Sequence, residues 1–295
     1  MMIRGSIPGL IVADGVHPVS YPPDALPPDV EVCHDARGDL LGYCLTKAGT
    51  LHVDLPDLAS FSYDGSAGHV RAVRHRPLSP GFITETYHHC VLPLLLPALG
   101  TEVLHASAVA GPAGVTALCA ESGTGKSTMA VALARRGYAI WADDAVAVDT
   151  TGGEPTAVPL PFSIRLRADA VRFLHAAGER DPFPAQAPVE PPLTRLVVLC
   201  MLRRNPEQVG PVVVERLHAA AACRQALAHA YCFTVKDPAQ RRRTIQNYLT
   251  LAARVPAYEI RFRPGFDRLP MILDAIEEIV GGASAKVTHG TLVDV

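Results

Sequence analysis

Short apolar runs separated by turn residues dominate the chain up to about residue 85. Over residues 51–55 apolar and polar side chains alternate, which is typical of a strand with one buried face. Prolines, glycines and aspartates interrupt such runs at short intervals. We therefore predict a β-rich N-terminal segment over residues 1–100, with a partly helical stretch at 84–99 that Pro93 starts or kinks.

The pattern changes at Val103. Apolar runs at 103–110 and 115–120, parted by the sequence Gly-Pro-Ala-Gly, predict two strands joined by a tight turn. Residues 127–136 then show helical spacing and end before Gly137, which suits a left-handed helix cap. This stretch therefore predicts a strand, a turn, a second strand, a loop and a helix in that order.

Strands and helices alternate over the rest of the chain. The continuous apolar run at 193–202 predicts a strand that is buried on both faces. The other predicted elements are strands at 138–141, 146–148, 211–217 and 258–262, and helices at 219–230, 238–254 and 267–280, the last with Asp267 as its N-cap. We therefore predict an α/β domain over residues 101–281 and a loose C-terminal tail over 282–295.

Composition and charge narrow the class of protein. Hydrophobic residues make up 48% and charged residues 19% of the 295 residues, as in folded proteins. The formal net charge of −2 argues against nucleic acid or an anionic membrane as the main partner. The seven cysteines form no C-x-x-C pair, so we expect free thiols rather than a zinc site. The most apolar run, 90–99, is too short to span a membrane, and we expect a soluble, cytoplasmic protein.

The sequence AESGTGKS at residues 120–127 carries the clearest chemical signal, because it lies between a predicted strand and a predicted helix. It departs once from the phosphate-loop pattern G-x-x-x-x-G-K-[ST], with Ala120 in place of the first glycine. Glycines allow successive N–H groups to turn toward an anion, and the helix N-terminus adds a partial positive charge. A chance glycine-rich turn is the alternative. We predict a nucleoside triphosphate site formed by Ser122, Gly123, Thr124, Gly125, Lys126, Ser127 and Thr128.

Asp143 and Asp144 follow a predicted strand at the position where α/β sites gather a metal and a base. Two adjacent carboxylates near a phosphate repel each other, and a cation relieves this repulsion. A surface turn is the alternative, although the apolar flanks at 140–142 and 145–147 count against it. His105 lies in the predicted strand at 103–110 and, on its own, is more readily explained as a core residue than as a site residue.

Other basic residues carry less information. Arg165 and Arg167 alternate in a strand-like segment, and they could approach the nucleotide or pair with carboxylates. The arginines at 241–243 cannot all face one side of a helix. His88 and His89 lack a third ligand at usable spacing, so we predict no zinc site there.

Together these motifs resemble a known family. The order of Leu104-His105-Ala106-Ser107, the loop through Ser127, the helix ending in Arg136-Gly137 and the sequence Ala142-Asp143-Asp144 is similar to the catalytic domain of HPr kinase/phosphorylase. It resembles more closely the HPr-kinase-like kinases of bacterial peptide-modification clusters, such as those that make lasso peptides. The resemblance covers about 103–148 closely and extends in outline to about 280. The family's fold in turn resembles ATP-dependent phosphoenolpyruvate carboxykinase.

The resemblance implies a phosphotransferase that uses ATP and Mg²⁺ to phosphorylate a serine of a peptide or small protein. Asp143 would be the general base with His105 assisting, Lys126 would hold the β- and γ-phosphates, and Ser127 and Asp144 would hold magnesium. HPr kinases form rings, which implies a homo-oligomer. Ala120, and the lack of a match to the glutamate-bearing segment of true HPr kinases, count against HPr as the substrate.

Two other functions remain open at the level of the sequence. One is a kinase for free serine or another small hydroxylated metabolite, and the neighbouring genes would distinguish it from a peptide kinase. The other is a nucleotide-binding sensor without turnover. The presence of both Asp143 and His105 favours a catalyst over a sensor.

Overall fold

The computed structural model describes residues 7–16, 30–34, 40–47, 50–55, 58–65, 67–176, 194–208, 210, 212–231 and 238–289. These residues fall into two compact units, and the division along the chain follows Leu99. In the described part of the chain, no helix combines the length and the apolar character that a membrane span requires.

The first unit contains a sheet in the strand order β1-β6-β5-β4-β3-β2. Its neighbouring strands are antiparallel except for β1 and β6, which are parallel. The strands are β1 (Gly9–Val16), β2 (Val30–His34), β3 (Leu40–Lys47), β4 (Thr50–Leu55), β5 (Ala59–Asp64) and β6 (His69–Arg74). Helix α1 (Pro80–Thr86), a π-helical turn (Tyr87–Val91) and helix α2 (Leu92–Leu99) follow.

Alternating burial explains this sheet. Ala59, Phe61 and Tyr63 of β5 are buried, whereas the serines between them are only half-buried. Tyr87 stacks on Phe61 and donates a hydrogen bond of 2.6 Å from its hydroxyl to the Pro8 carbonyl. The helical stretch begins at Pro80, earlier than predicted, because the Ser79 side chain caps it and proline suits its first turn.

The second unit contains a mixed sheet in the strand order β10-β8-β9-β13-β12-β11-β7, with β15 paired to β13 and β14 at one edge. The strands are β7 (Glu102–Leu104), β8 (Ala106–Gly111), β9 (Gly114–Cys119), β10 (Ala139–Ala142), β11 (Val146–Asp149), β12 (Thr156–Val158), β13 (Thr194–Arg204), β14 (Val213–Arg216) and β15 (Ala257–Phe262). The helices are α3 (Lys126–Ala134), α4 (Ala168–Ala176), α5 (Ala219–Ala228), α6 (Pro238–Arg254) and α7 (Leu269–His289).

Strand β13 is the centre of this unit, because it pairs in parallel with β9 on one side and with β15 on the other. Its residues from Leu196 to Leu202 are buried, as the continuous apolar run predicts. One face of the sheet packs with α3 and α7, and the opposite face packs with α5 and α6. The second unit is therefore a layered α/β structure, and β9, β13 and β15 end at the same edge of its sheet.

The prediction of one strand over 103–110 is wrong, because His105 separates β7 from β8. Strand β7 pairs with β11, whereas β8 pairs with β9 and β10, so the chain changes partners between them. The segment with Arg165 and Arg167 is also not a strand. Sequence alternation alone could not reveal that this segment lacks a partner strand.

The C-terminal helix also differs from the prediction. A 3-10 turn (Phe266–Arg268) contains Asp267, and α7 begins only at Leu269, so Asp267 is not its N-cap. Helix α7 continues to His289, so residues 282–289 of the predicted loose tail are helical. The two glycines at 281–282 each weaken a helix by about 1 kcal/mol relative to alanine, a cost that is too small to end a helix on its own. Residues 290–295 lie outside the described part of the chain.

Candidate active site

The loop between β9 and α3 joins the carboxyl end of a buried strand to the start of a helix. Gly123 and Gly125 have φ values of 81° and 111°, which side chains with a Cβ rarely adopt. The Thr124 N–H donates to the Glu121 carbonyl at 3.2 Å, and this contact tightens the loop. The first N–H groups of α3 have no acceptor within the helix, so this end of the helix attracts anions.

Lys126 is the first residue of α3, and it is only 5% exposed. Its Nζ donates to the Ala120 carbonyl and to Nε2 of His105, both at 2.9 Å. Burial lowers the pKa of Lys126, while the charges of Asp144 and Asp143 act to raise it. Lys126, at the start of α3, therefore contacts Ala120 at the other end of the loop.

His105 lies in the break between β7 and β8, where its backbone N–H donates to the His229 carbonyl at 2.6 Å. Its Nδ1 lies 3.3 Å from the hydroxyl of Tyr231, which in turn donates to the Asp144 carbonyl at 3.3 Å. Burial and the charge of Lys126 lower the pKa of His105. Because the Lys126 ammonium is a donor, Nε2 of the neutral imidazole is the acceptor and Nδ1 carries the proton.

Asp143 follows β10 directly and is 3% exposed. The Ser107 hydroxyl donates to its Oδ1 at 2.6 Å, and the Ser127 hydroxyl also hydrogen-bonds to this carboxylate. The Arg165 N–H donates to Oδ2 at 3.4 Å. Burial raises the pKa of Asp143, and these hydrogen bonds oppose the rise. Asp143 is thus tied to Ser127 of the loop.

Asp144 has a left-handed backbone conformation, with φ of 63°, and no other non-glycine residue in the described ranges has a positive φ. Such a conformation costs about 1 kcal/mol for most residues, and aspartate adopts it more readily than most. The carboxylate of Asp144 acts on the charges of both Lys126 and His105. The turn therefore gives the two adjacent carboxylates different surroundings.

A pocket of about 290 Å³ lies over the loop. The predicted residues Ser122, Gly123, Thr124, Gly125, Lys126, Ser127, Thr128, His105 and Asp144 all line it, whereas Asp143 lies behind its wall and contacts Ser127. Arg165, Arg167 and Arg204 also line the pocket. Arg204 donates from Nε to the Thr124 carbonyl at 3.2 Å. We name this cavity the phosphate pocket.

The sequence assigned no role to Ser107, Tyr231 or Arg204. A buried hydroxyl within an apolar run was a signal for Ser107, and a position at the carboxyl end of a parallel strand was a signal for Arg204. Tyr231 had no local signal. The arginines at 241–243 and the pair His88-His89 do not line the phosphate pocket.

Comparisons with known proteins add little to this geometry. No protein-family model and no curated protein matches the chain. Among solved structures, the chain is similar to the HPr(Ser) kinase/phosphatase from Coxiella burnetii, with 10% identity and a TM-score of 0.32, over 65% of this chain and 99% of that chain. A TM-score this low does not establish a common fold.

Proposed function

We propose that this protein is a kinase that transfers the γ-phosphoryl group of ATP to a hydroxyl, namely a serine of a peptide or small protein. The observation that carries the proposal is the convergence of the glycine-containing loop, Lys126, His105 and Asp144 on one pocket. Asp143 lies behind the wall of this pocket and is hydrogen-bonded to Ser127. The preference for serine and for a peptide comes from the resemblance of the sequence motifs.

The loop fits a phosphate chain. A Cβ at Gly123 would lie 2.9 Å from Nη2 of Arg167, so the glycine leaves room for a close approach of backbone and guanidinium. Lys126 and the start of α3 place positive charge at the same point. A triphosphate would replace the Ala120 carbonyl and His105 as the partner of the Lys126 ammonium.

The oxygen donors fit magnesium. Ser127 and the aspartates offer hard oxygen ligands, and Mg²⁺ commonly takes only one or two protein carboxylates together with phosphate oxygens and waters. The described residues contain no cluster of three or more His, Cys, Asp or Glu side chains that could hold a metal on its own. A magnesium ion at this site would therefore depend on the nucleotide for part of its coordination.

The contacts favour a reversal of the roles that the resemblance implies for the two aspartates. Ser127 is hydrogen-bonded to Asp143, and magnesium in phosphate-loop enzymes is held by the loop Ser/Thr and a nearby aspartate. Asp143 is also too buried to meet an incoming hydroxyl, whereas Asp144 lines the pocket. We therefore give Ser127 and Asp143 the magnesium role and Asp144 the role of proton acceptor.

In this mechanism Lys126 holds the β- and γ-phosphates, and His105, as a neutral ring, holds the lysine side chain in the pocket until the nucleotide binds. Magnesium, when bound, neutralises charge on these phosphates. The serine oxygen forms a bond to the γ-phosphorus while the bond from that phosphorus to the β,γ-bridging oxygen breaks. The serine proton passes to the Asp144 carboxylate, and the products are ADP and phosphoserine.

The test is phosphate transfer from ATP to a library of serine-containing peptides and to free serine, followed by mass spectrometry. We expect a mass gain of one phosphate on a peptide with the wild-type protein. In Lys126→Ala, ATP affinity measured by calorimetry should fall by about 2–3 kcal/mol, because a charge-assisted contact is lost. Lys126→Arg keeps the charge and serves as the matched control.

Each other outcome has a definite meaning. Transfer to free serine but to no peptide would identify a metabolite kinase. ATP binding that depends on Lys126, without transfer to any acceptor, would identify a nucleotide sensor. Wild-type ATP affinity in Lys126→Ala would overturn the site itself.

A further inference from the structure

A second groove borders the phosphate pocket, and we name it the acceptor groove. It lies between the carboxyl end of β13, the end of α5 and the loop at 121–124, with a volume of about 970 Å³. His105, the loop residues 122–124 and Arg204 belong to both cavities. A molecule in the acceptor groove would therefore meet the phosphate pocket at His105 and the loop.

The acceptor groove carries excess positive charge. Among the described residues its ionisable side chains, apart from the histidines His105 and His229, are Arg167, Arg203, Arg204, Arg224, Glu121 and Glu259. Glu259 is already paired, because Arg261 donates to its Oε1 at 2.6 Å and Gln225 to its Oε2 at 2.9 Å. Four arginines thus stand against two carboxylates, Glu121 and Glu259, which leaves a net charge of +2 when the histidines are neutral.

Two of these arginines have no close ion-pair partner among the described residues. Arg203 is 71% exposed at its side chain and lies 3.9 Å from Glu259, a carboxylate that has closer partners. Arg224 is exposed and forms no ion pair with any described residue. Neither lines the phosphate pocket, whereas Arg167 and Arg204 do. Arg203 and Arg224 are therefore free to recognise an anionic acceptor rather than the nucleotide.

The size of the groove indicates what kind of acceptor this is. Cavities of roughly 300–1,000 Å³ hold ligands of drug size, which are several times larger than a free amino acid. A free serine would leave most of the acceptor groove empty. A peptide segment of several residues fills such a space and can place a carboxylate on either side of its serine.

We propose that the acceptor groove binds a peptide segment in which acidic residues flank the serine, with Arg203 and Arg224 as the specificity-determining residues. The identification of the groove as the acceptor site rests on the proposed kinase function. The charge preference of the groove does not require turnover, so it can be measured separately.

The experiment measures binding of fluorescently labelled peptides by anisotropy, in the presence of magnesium and a non-hydrolysable ATP analogue. Three peptides share one sequence except for the residues beside the serine, which are glutamate, alanine or lysine. Wild type should bind the glutamate peptide most tightly. In the double variant Arg203→Glu/Arg224→Glu this affinity should fall by about tenfold or more, and the lysine peptide should become the preferred one.

Controls separate the groove from general charge effects. Arg242→Glu changes an exposed arginine of α6 outside both cavities and should leave the peptide preference unchanged. Raising the salt from about 0.05 M to about 0.5 M should weaken the glutamate peptide more than the alanine peptide. An excess of free serine should not displace the glutamate peptide.

Two results would overturn the inference. One is equal affinity of wild type for the three peptides, and the other is an unchanged preference in the double variant. Failure of the proposed function is visible separately. In that case ATP would bind and the glutamate peptide would still be preferred, yet no peptide would gain phosphate.

Discussion

At the scale of single residues, Asp143 and Asp144 show how one backbone angle can divide two neighbouring carboxylates. The left-handed conformation of Asp144 lets Asp143 remain behind the pocket wall with Ser107 and Ser127. Asp144 instead lines the pocket and acts on Lys126. The two side chains therefore have different chemistry although their sequence context is nearly the same.

This division predicts different effects for two matched substitutions. Asp144→Asn keeps the shape of the side chain and removes the proton acceptor. ATP binding should stay within a few-fold of wild type while phosphate transfer falls by roughly 10²-fold or more, as for a lost general base. Asp143→Asn should instead raise the magnesium concentration needed for half-maximal transfer. Both are measured by peptide phosphorylation across a magnesium titration.

The reverse result would be equally informative. A rise in magnesium requirement for Asp144→Asn, together with a loss of transfer at saturating magnesium for Asp143→Asn, would restore the roles that the motif resemblance implies. Equal rates for both variants and wild type would remove the two aspartates from the reaction.

At the scale of elements, the sequence predicts those parts of the fold that local pattern decides. The bounds of α6 agree with the helix predicted at 238–254, and β13 agrees closely with the strand predicted at 193–202. A proline at the first turn and a long apolar run are strong local signals. The break at His105 could not be predicted, because it depends on which distant strands pair with β7 and β8.

The same distinction applies to the candidate site. The loop at 120–127 is contiguous, so its residues could be named from the sequence. The residues that orient His105 could not, because Tyr231 lies 126 positions further along the chain. Arg204 likewise reaches the Thr124 carbonyl across 80 positions. The sequence therefore predicts the residues of the loop itself, while tertiary pairing selects their neighbours.

Helix α6 offers a test of the layered arrangement. Leu251 is 1% exposed in the core against the sheet, whereas Leu249 on the same helix is 53% exposed. Leu251→Ala should reduce the free energy of unfolding by about 2–5 kcal/mol, because it leaves a cavity. Leu249→Ala makes the same change in helix propensity and should stay within about 0.5 kcal/mol. Urea unfolding measures both, and equal losses would contradict the packing of α6.

At the scale of the whole molecule, charge is distributed unevenly. The formal net charge is −2, yet the acceptor groove presents four arginines among its described residues. Positive charge is therefore concentrated in this groove, where it can select a peptide without making the protein a general polyanion binder. The homo-oligomer that the resemblance implies stays a prediction.

All residues of the phosphate pocket belong to the second unit. A ligand that binds only the folded state stabilises it by about 2.7 kcal/mol at 100 times its Kd. For a unit of this size each kcal/mol raises Tm by about 2–4 °C. We therefore expect ATP with magnesium, at 100 times its Kd, to raise the Tm of the unfolding transition that involves the second unit by about 5–10 °C, measured by calorimetry.

AMP should have a much smaller effect, because it lacks the outer phosphates that Lys126 holds. Lys126→Ala should lose the rise at the same ATP concentration. An equal rise with AMP would mean that the pocket recognises the nucleoside rather than the phosphates.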